Sequence, residues 1–189
     1  FTGMVAGGAA ESTFRNVQVK GGDVHGTVAG GLVGKGYSTD ASRALRFEDV
    51  GYDGTVRAVG IGGGLLIGWI ADVGATPVHI EGAVVDGTVT GASESVGGLA
   101  GFVEGPVAVH GATVDGTIGT GVNASALTYR GGAFGHLALS GTPDVEVLVS
   151  GVDVRATVSE EDAVGGLVGR LYGSGVDADR LTVRNARLE

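Results

Sequence analysis

The sequence of 189 residues contains no cysteine and no apolar run of about 18 residues. Without cysteine there are neither disulfides nor thiolate ligands for a metal ion. Without a long apolar run, no segment can cross a bilayer as a helix, and we expect no membrane insertion. Positive charge is also scarce, because 12 Lys and Arg residues face 21 Asp and Glu residues and the net charge is -9. Such a surface makes nucleic acid a poor partner.

Glycine, in contrast, is abundant. It accounts for 39 of the 189 residues, whereas its ordinary share is about 7%. The glycines do not fall on every third position, which excludes a collagen helix. Hydrophobic residues make up 43% of the chain, which argues against plain disorder. We therefore expect the glycines to mark tight corners in a folded chain.

A glycine-rich motif returns at a nearly constant interval along the whole chain. Counted from the first glycine of each copy, the steps are 33, 34, 34 and 34 residues. A fixed period of this size predicts a repeat architecture. The copies are Gly30–Gly34, Gly63–Gly68, Gly97–Gly101, Gly131–Gly135 and Gly165–Gly169, with a worn copy at Gly3–Gly7.

A second motif lies between these copies and alternates apolar and other residues, as a strand does. Its copies are Phe14–Val19, Phe47–Tyr52, Ile80–Val85, Val109–Val114, Val149–Val154 and Val183–Leu188. Three copies are followed by Asp-Gly-Thr, at Asp53, Asp86 and Asp115. Asp-Gly can close a two-residue hairpin. A bend within one coil is favoured instead, because each repeat offers one glycine-rich strand, one variable connector and one longer strand that breaks at Asp-Gly.

Together the two motifs predict an all-β fold. We expect a parallel, right-handed β-helix of about five to six coils with roughly 33–34 residues per repeat, and we expect residues 1–189 to form this single solenoid. One copy departs from the pattern, since Leu65, Leu66 and Ile67 stand where the others have two residues between their glycines. The extra residue predicts a β-bulge at that point.

The Gly-Leu-apolar-Gly core at Gly31–Gly34, Gly98–Gly101 and Gly166–Gly169 resembles the GLUG-motif repeats of large bacterial and archaeal surface proteins. This resemblance implies a non-catalytic, extracellular module that serves as a surface stalk, an adhesin or a filament building block. We also expect protein partners, either neighbouring repeats of a longer array or other copies stacked head to tail through the ends of the solenoid, with surface glycans as a further candidate. No active site or cofactor comes with the family.

Parallel β-helices also occur as polysaccharide lyases and hydrolases, so a carbohydrate-binding or carbohydrate-active β-helix is the alternative. Glycosidase chemistry needs two carboxylates that face one groove. The carboxylates in register, Asp53, Asp86 and Asp115, each precede a turn glycine, and we expect them to bind the local backbone. The four histidines share no metal-ligand spacing and are expected at the surface. We therefore predict no catalytic, cofactor or metal site.

Two further features point to contacts. The position after the last glycine of each motif holds Lys35, Trp69, Phe102, His136 and Arg170. If the motif leucines point inward, Trp69, Phe102 and Phe134 form an outward apolar strip, which is either a partner-contact surface or is covered by the connectors. The triplet at Asn123 fits an N-glycosylation acceptor.

Overall fold

The computed structural model describes residues 2–7, 12–38, 44–71, 78–91, 94–120, 128–139, 146–159, 163–173 and 181–189. Across these segments the regular structure is entirely β, and every strand pairing is parallel. The predicted all-β parallel solenoid is therefore confirmed, whereas the right hand of its crossovers stays a prediction.

Three sheets form the solenoid, and their strands are numbered in chain order. Sheet A stacks β1 (Thr2–Gly7), β5 (Val33–Ser38), β9 (Ile67–Ile70), β12 (Ala100–Glu104), β15 (Phe134–Ala138) and β19 (Val168–Tyr172). Sheet B contains β2 (Ser12–Arg15), β3 (Gln18–Gly26), β6 (Leu45–Glu48), β7 (Gly51–Ala58), β10 (Val78–Thr90), β13 (Val107–Thr120), β16 (Val147–Val154), β17 (Thr157–Val158), β20 (Leu181–Arg184) and β21 (Arg187–Leu188). Sheet C stacks β4 (Ala29–Gly30), β8 (Gly62–Gly64), β11 (Ser95–Gly97), β14 (Tyr129–Gly131) and β18 (Ala163–Gly165).

The chain passes from sheet A to sheet B to sheet C and then repeats. Between β4 and β18, the first and last strands of sheet C, it makes four complete turns, with partial turns before and after. The coil count is thus slightly lower than the five to six predicted. Each turn corresponds to one sequence repeat.

The core of the solenoid consists of columns of similar apolar side chains from successive coils. In sheet B, Phe47, Ile80 and Val109 lie in register and are fully buried. The rings of Phe14 and Phe47 stack with their centroids 5.1 Å apart. The first, fourth and sixth residues of the second motif enter this core, as Ile80, Ala83 and Val85 do, because the left-handed third residue shifts the alternation by one position.

The glycine-rich motif forms the corner at which sheets C and A meet. A Cβ added at Gly97 would lie 2.6 Å from the backbone nitrogen of Gly135, and one at Gly30 would lie 2.5 Å from that of Gly68. The two sheets therefore pack backbone against backbone, and a side chain at these positions would separate them. The motif leucine at this corner points into the core, since Leu99 is fully buried.

The predicted bulge in the second copy is wrong. Gly64, not Gly63, pairs with Gly30, and Ile67 pairs with Val33, so each copy has two residues between these positions. Leu65 occupies the place of the second glycine and is buried. Three consecutive glycines, residues 62–64, precede Leu65, and the third of them is the equivalent of Gly30.

The Asp-Gly-Thr segments bend within strands and do not close hairpins. Asp53, Asp86 and Asp115 lie in parallel register in neighbouring coils. The side chain of Asp115 accepts a hydrogen bond of 2.9 Å from the backbone N–H of Gly116, whose φ is 108°. The predicted local backbone bond is thus present at Asp115.

Candidate functional site

A column of large side chains runs along the outward face of sheet A. Its members lie in register from coil to coil and are all partly buried. They are Lys35, Trp69, Phe102, His136 and Arg170, the residues that follow the last glycine of each motif. We call this column the aromatic ladder.

From Lys35 to His136, neighbouring members of the aromatic ladder contact one another through their rings. The Lys35 Nζ lies 3.7 Å from the centroid of the Trp69 ring. The Trp69 and Phe102 rings are stacked at 5.9 Å with an interplanar angle of 28°. The Phe102 and His136 rings are 4.7 Å apart at 34°. Stacking and cation–π attraction therefore join one coil to the next along this face.

Tyr129 from sheet C joins the ladder at its Arg170 end. Its ring centroid is 5.2 Å from that of His136. Its hydroxyl accepts a hydrogen bond of 2.8 Å from Arg170, whose guanidinium carbon lies 4.6 Å from the Tyr129 ring centroid and 5.1 Å from that of Tyr172. The Trp69 indole N–H in turn donates to the Glu104 carboxylate at 3.0 Å. The aromatic ladder thus has a cation at each end, Lys35 at one and Arg170 at the other.

A groove of about 290 Å³ lies between the Arg170 end of the ladder and the start of the sheet C strands. Its lining combines aromatic rings with one cation, one carboxylate and one imidazole. The lining residues are Ile61, Glu94, Ser95, Phe102, Tyr129, His136 and Arg170.

His136 is the most perturbed group of this groove. Burial and the nearby positive charge of Arg170 lower the pKa of His136 from 6.5 to about 4. The imidazole is therefore neutral at pH 7, and its Nε2 is buried without a hydrogen-bond partner among the described residues. His136 lies on the outward face of sheet A and is partly buried, with the rings of Phe102 and Tyr129 against it.

The predicted strip of Trp69, Phe102 and Phe134 is only partly correct. Trp69 and Phe102 do lie in one outward column, but they are partly buried. Phe134 is fully buried and lies in register with Ala100 and Val168. It is the first residue after the corner, where the side chain enters the solenoid core, and the outward position of that coil belongs to His136.

The remaining predictions concern metals, membranes and glycosylation. Among the described residues, no group of three or more His, Asp or Glu side chains could hold a metal ion. The described part of the chain also contains no helix that could span a membrane. Asn123 lies outside the described residues, so its N-glycosylation stays a prediction.

Sequence reasoning missed Tyr129 and Glu94, which line the groove. Tyr129 stands two residues before the first glycine of its motif, where Ser95 and Gly62 stand in the preceding coils. A comparison of this position between copies would have shown that only one coil carries an aromatic residue there. Its approach to His136 depends on the packing of sheet C against sheet A, which the repeat period does not specify.

No family model, no curated protein and no solved structure matches this chain.

Proposed function

We propose that this chain is a non-catalytic, extracellular structural and adhesive solenoid module, as its resemblance to the GLUG-motif repeats implies. The observation that carries the proposal is the aromatic ladder, whose direct contacts run from Lys35 to His136 and which reaches Arg170 through Tyr129. A stalk or an adhesin must keep its coils stacked under lateral load. Each aromatic contact contributes roughly 0.5–1.5 kcal/mol beyond the free energy of burying its area. All these contacts join strands along the axis of the solenoid.

The way in which the rings are used also favours a structural role. Phe102 has Trp69 on one side and His136 on the other, so other rings lie against both sides of its ring. Aromatic platforms for sugars or bases present free ring faces to the ligand. The main role of the aromatic ladder is therefore to join successive coils along the axis of the solenoid.

Carbohydrate binding is the second candidate, and the groove beside the ladder favours it. A concave site with aromatic walls and a few polar groups is the usual form of a small-ligand site. Catalysis would in addition need a pair of carboxylates across the ligand. Of the residues that line the groove, Glu94 is the only carboxylate.

Protein partners are proposed for the last described coil. Val164, Leu171, Val183 and Leu188 are 46%, 52%, 43% and 56% exposed. Each continues a column that is largely buried in the preceding coil, such as Val149 below Val183. A neighbouring repeat or another copy of the chain would cover this face.

Light scattering across a concentration series, with Val183→Lys as the control, should show association that the variant weakens. A wild-type chain that stays monomeric at high concentration would exclude contact between copies.

Two measurements test the proposed function. Antibodies against this chain should label intact cells of the source, and labelling that requires permeabilised cells would overturn the extracellular assignment. The purified chain should also release no reducing ends from acidic polysaccharides. Turnover that survives repeated purification would replace the structural role with a carbohydrate-active one.

A further inference from the structure

The last described coil presents an open strand edge in sheet B. Among the described strands, β20 and β21 pair with β16 alone, so one edge of each has no partner strand. Val183 and Leu188 are exposed there, whereas Val149 and Val154, which precede them in the same columns, are buried. An open edge that coincides with exposed apolar side chains indicates a surface to which another strand can be added.

The corner at Gly166 indicates that the added strand belongs to a further coil of the same kind. A Cβ at Gly98 would strike the carbonyl oxygen of Gly132 in the next coil, and a Cβ at Gly132 would strike the carbonyl oxygen of Gly166 and the side chain of Val154. At Gly166 the equivalent side chain, Leu188, is in place at 2.9 Å, but no described carbonyl oxygen is among the nearest atoms. Gly166 has no positive φ that would require glycine. The corner therefore leaves the place at which the backbone of a next corner would lie.

Arg184 adds a charge to this face. Its side chain is exposed and forms no ion pair with a described residue. In the first described coil the same column holds Arg15, and the next coil places Glu48 in register with it, at 2.6 Å between the charged groups. Arg187, in contrast, pairs with Glu189 of its own coil. An arginine in the Arg184 column is thus neutralised by a carboxylate from the coil that follows it.

We propose that the last described coil binds a further parallel β-coil whose sheet B strand carries a carboxylate in register with Arg184. Its apolar residues cover Val183 and Leu188, and its glycine-rich corner lies over Gly166. The proposal rests on the function proposed above, which assigns a neighbouring repeat or another copy to this face, and it specifies the chemistry of that partner.

A second copy of the chain is the weaker occupant. If its first described coil continued the columns of sheet B, Arg15 would lie opposite Arg184. Like charges directly opposite each other on neighbouring strands destabilise the pairing. An acidic segment without strand alternation would leave Val183 and Leu188 uncovered. The occupant therefore needs the alternating apolar residues and the carboxylate together.

The test uses the folded chain and three synthetic peptides. The first has the sequence of residues 12–26, which include β2 and β3 of the first described coil. In register with β20 and β21, its apolar residues lie over Val183 and Leu188, and Arg15 lies over Arg184. The second peptide differs only by Arg15→Glu, and the third is a scrambled form of the second.

The Arg15→Glu peptide should bind about threefold or more tightly than the native peptide in calorimetry or ligand-observed NMR, because an attractive pair replaces a repulsive one. The scrambled peptide should bind more weakly than both. If it binds as tightly as the Arg15→Glu peptide, the face accepts any acidic segment and the proposal is overturned.

Two variants of the chain locate the contact. Arg184→Glu should reverse the preference, so that the native peptide binds more tightly than its Arg15→Glu form. Arg57→Glu changes the charge by the same amount at an exposed position of an earlier coil, and it should leave the preference unchanged. If Arg184→Glu keeps the wild-type preference, or if Arg57→Glu reverses it, the contact does not lie at Arg184 and the proposal is wrong.

Failure of this inference can be told apart from failure of the proposed function. If no peptide binds while antibodies label intact cells and acidic polysaccharides stay uncut, the assignment of this face is wrong and the structural module stands. If the charge preference is observed but labelling requires permeabilised cells, the assignment of this face stands and the extracellular location is wrong.

Discussion

The rings of Phe102 and His136 lie one above the other in adjacent coils, with their centroids 4.7 Å apart. This contact removes one face of the imidazole from water, and Arg170 in the next coil adds a positive charge beside it. Both effects disfavour the protonated form of His136. The ladder therefore contains a histidine whose charge state is linked to the stacking of the coils.

The first prediction concerns pH. The pKa of His136 is about 4 in the folded chain, below the value of 6.5 that it has when exposed. Between these values the unfolded chain binds the proton and the folded chain does not, so stability should fall as pH decreases from 6.5 towards 4. In His136→Phe this loss is absent, and the difference in melting temperature between variant and wild type should grow over that window. The exposed His110 provides the control variant His110→Phe, and an identical pH profile for wild type and His136→Phe would contradict the account.

The second prediction compares the cost of a side chain at Gly98 and at Gly166, which occupy the same position of the glycine-rich motif. A Cβ at Gly98 would strike Val114 and the backbone carbonyl of Gly132 in the next coil. A Cβ at Gly166 would meet only the end of the Leu188 side chain, at 2.9 Å. Gly98→Val should therefore cost about 3 kcal/mol of unfolding free energy, and Gly166→Val about 1 kcal/mol or less. Urea unfolding measures both, and equal costs would show that the corner is not packed as described.

The third prediction concerns a corner of sheet B at which the third residue of each of the six copies of the second motif adopts a left-handed backbone. Asn16, Asp49 and Asn185 have φ of 55°, 51° and 51° there, and Gly111 has 67°. No atom lies within 4 Å of a Cβ at Gly111. Because Asn tolerates this conformation and a β-branched residue does not, Gly111→Asn should change stability by less than about 0.5 kcal/mol, whereas Gly111→Val should cost about 1–2 kcal/mol. A larger loss for Asn than for Val would refute the left-handed assignment.

The sequence already carried the signal for this corner. The third residue of every copy of the second motif is Asn, Asp or Gly, the three residues that most often adopt a positive φ. The period and the glycine corners were predictable for a similar reason, since only a few residue types satisfy those backbone positions. Residues at the same position of successive repeats pair with one another in the sheet. The register of Asp53, Asp86 and Asp115 was therefore also predictable.

Side-chain direction near the corners was not predictable from alternation alone. Val33 and Lys35 are two residues apart, yet Val33 is fully buried and Lys35 is only partly buried. The strand begins at the corner, where the backbone still turns, and strict alternation fails there. The same effect placed Phe134 in the core, and the sequence offered no direct sign of it. The groove depends on the distance between sheets C and A, which glycine packing sets and which the repeat spacing does not encode.

The fourth prediction concerns the ladder as a whole. Replacing Trp69 and Phe102 together by Ser removes their mutual stacking, the contacts with Lys35 and His136, and the Glu104 hydrogen bond. We expect a loss of about 3 kcal/mol, because both rings are partly buried and not fully buried. Val84→Ser is the matched control, since Val84 is 55% exposed on sheet B, and it should change stability by less than about 0.5 kcal/mol. If the double variant unfolds at the same urea concentration as the wild type, the ladder does not stabilise the coils.

The central claim is that successive repeats stack as parallel coils in the stated register, and engineered disulfides test it most directly in a chain that has no cysteine of its own. Thr88 pairs with Thr117 in the next coil, and residues paired in this way lie about 4.8 Å apart, within the range that a disulfide spans. Thr88→Cys combined with Thr117→Cys should therefore close rapidly under mild oxidation, as mass spectrometry of non-reduced peptides can show. Thr88→Cys combined with Asp115→Cys is displaced by two residues along the strand, beyond about 7 Å, and should stay reduced. Equal oxidation of both pairs, or of neither, would contradict the parallel register on which the ladder and the groove depend.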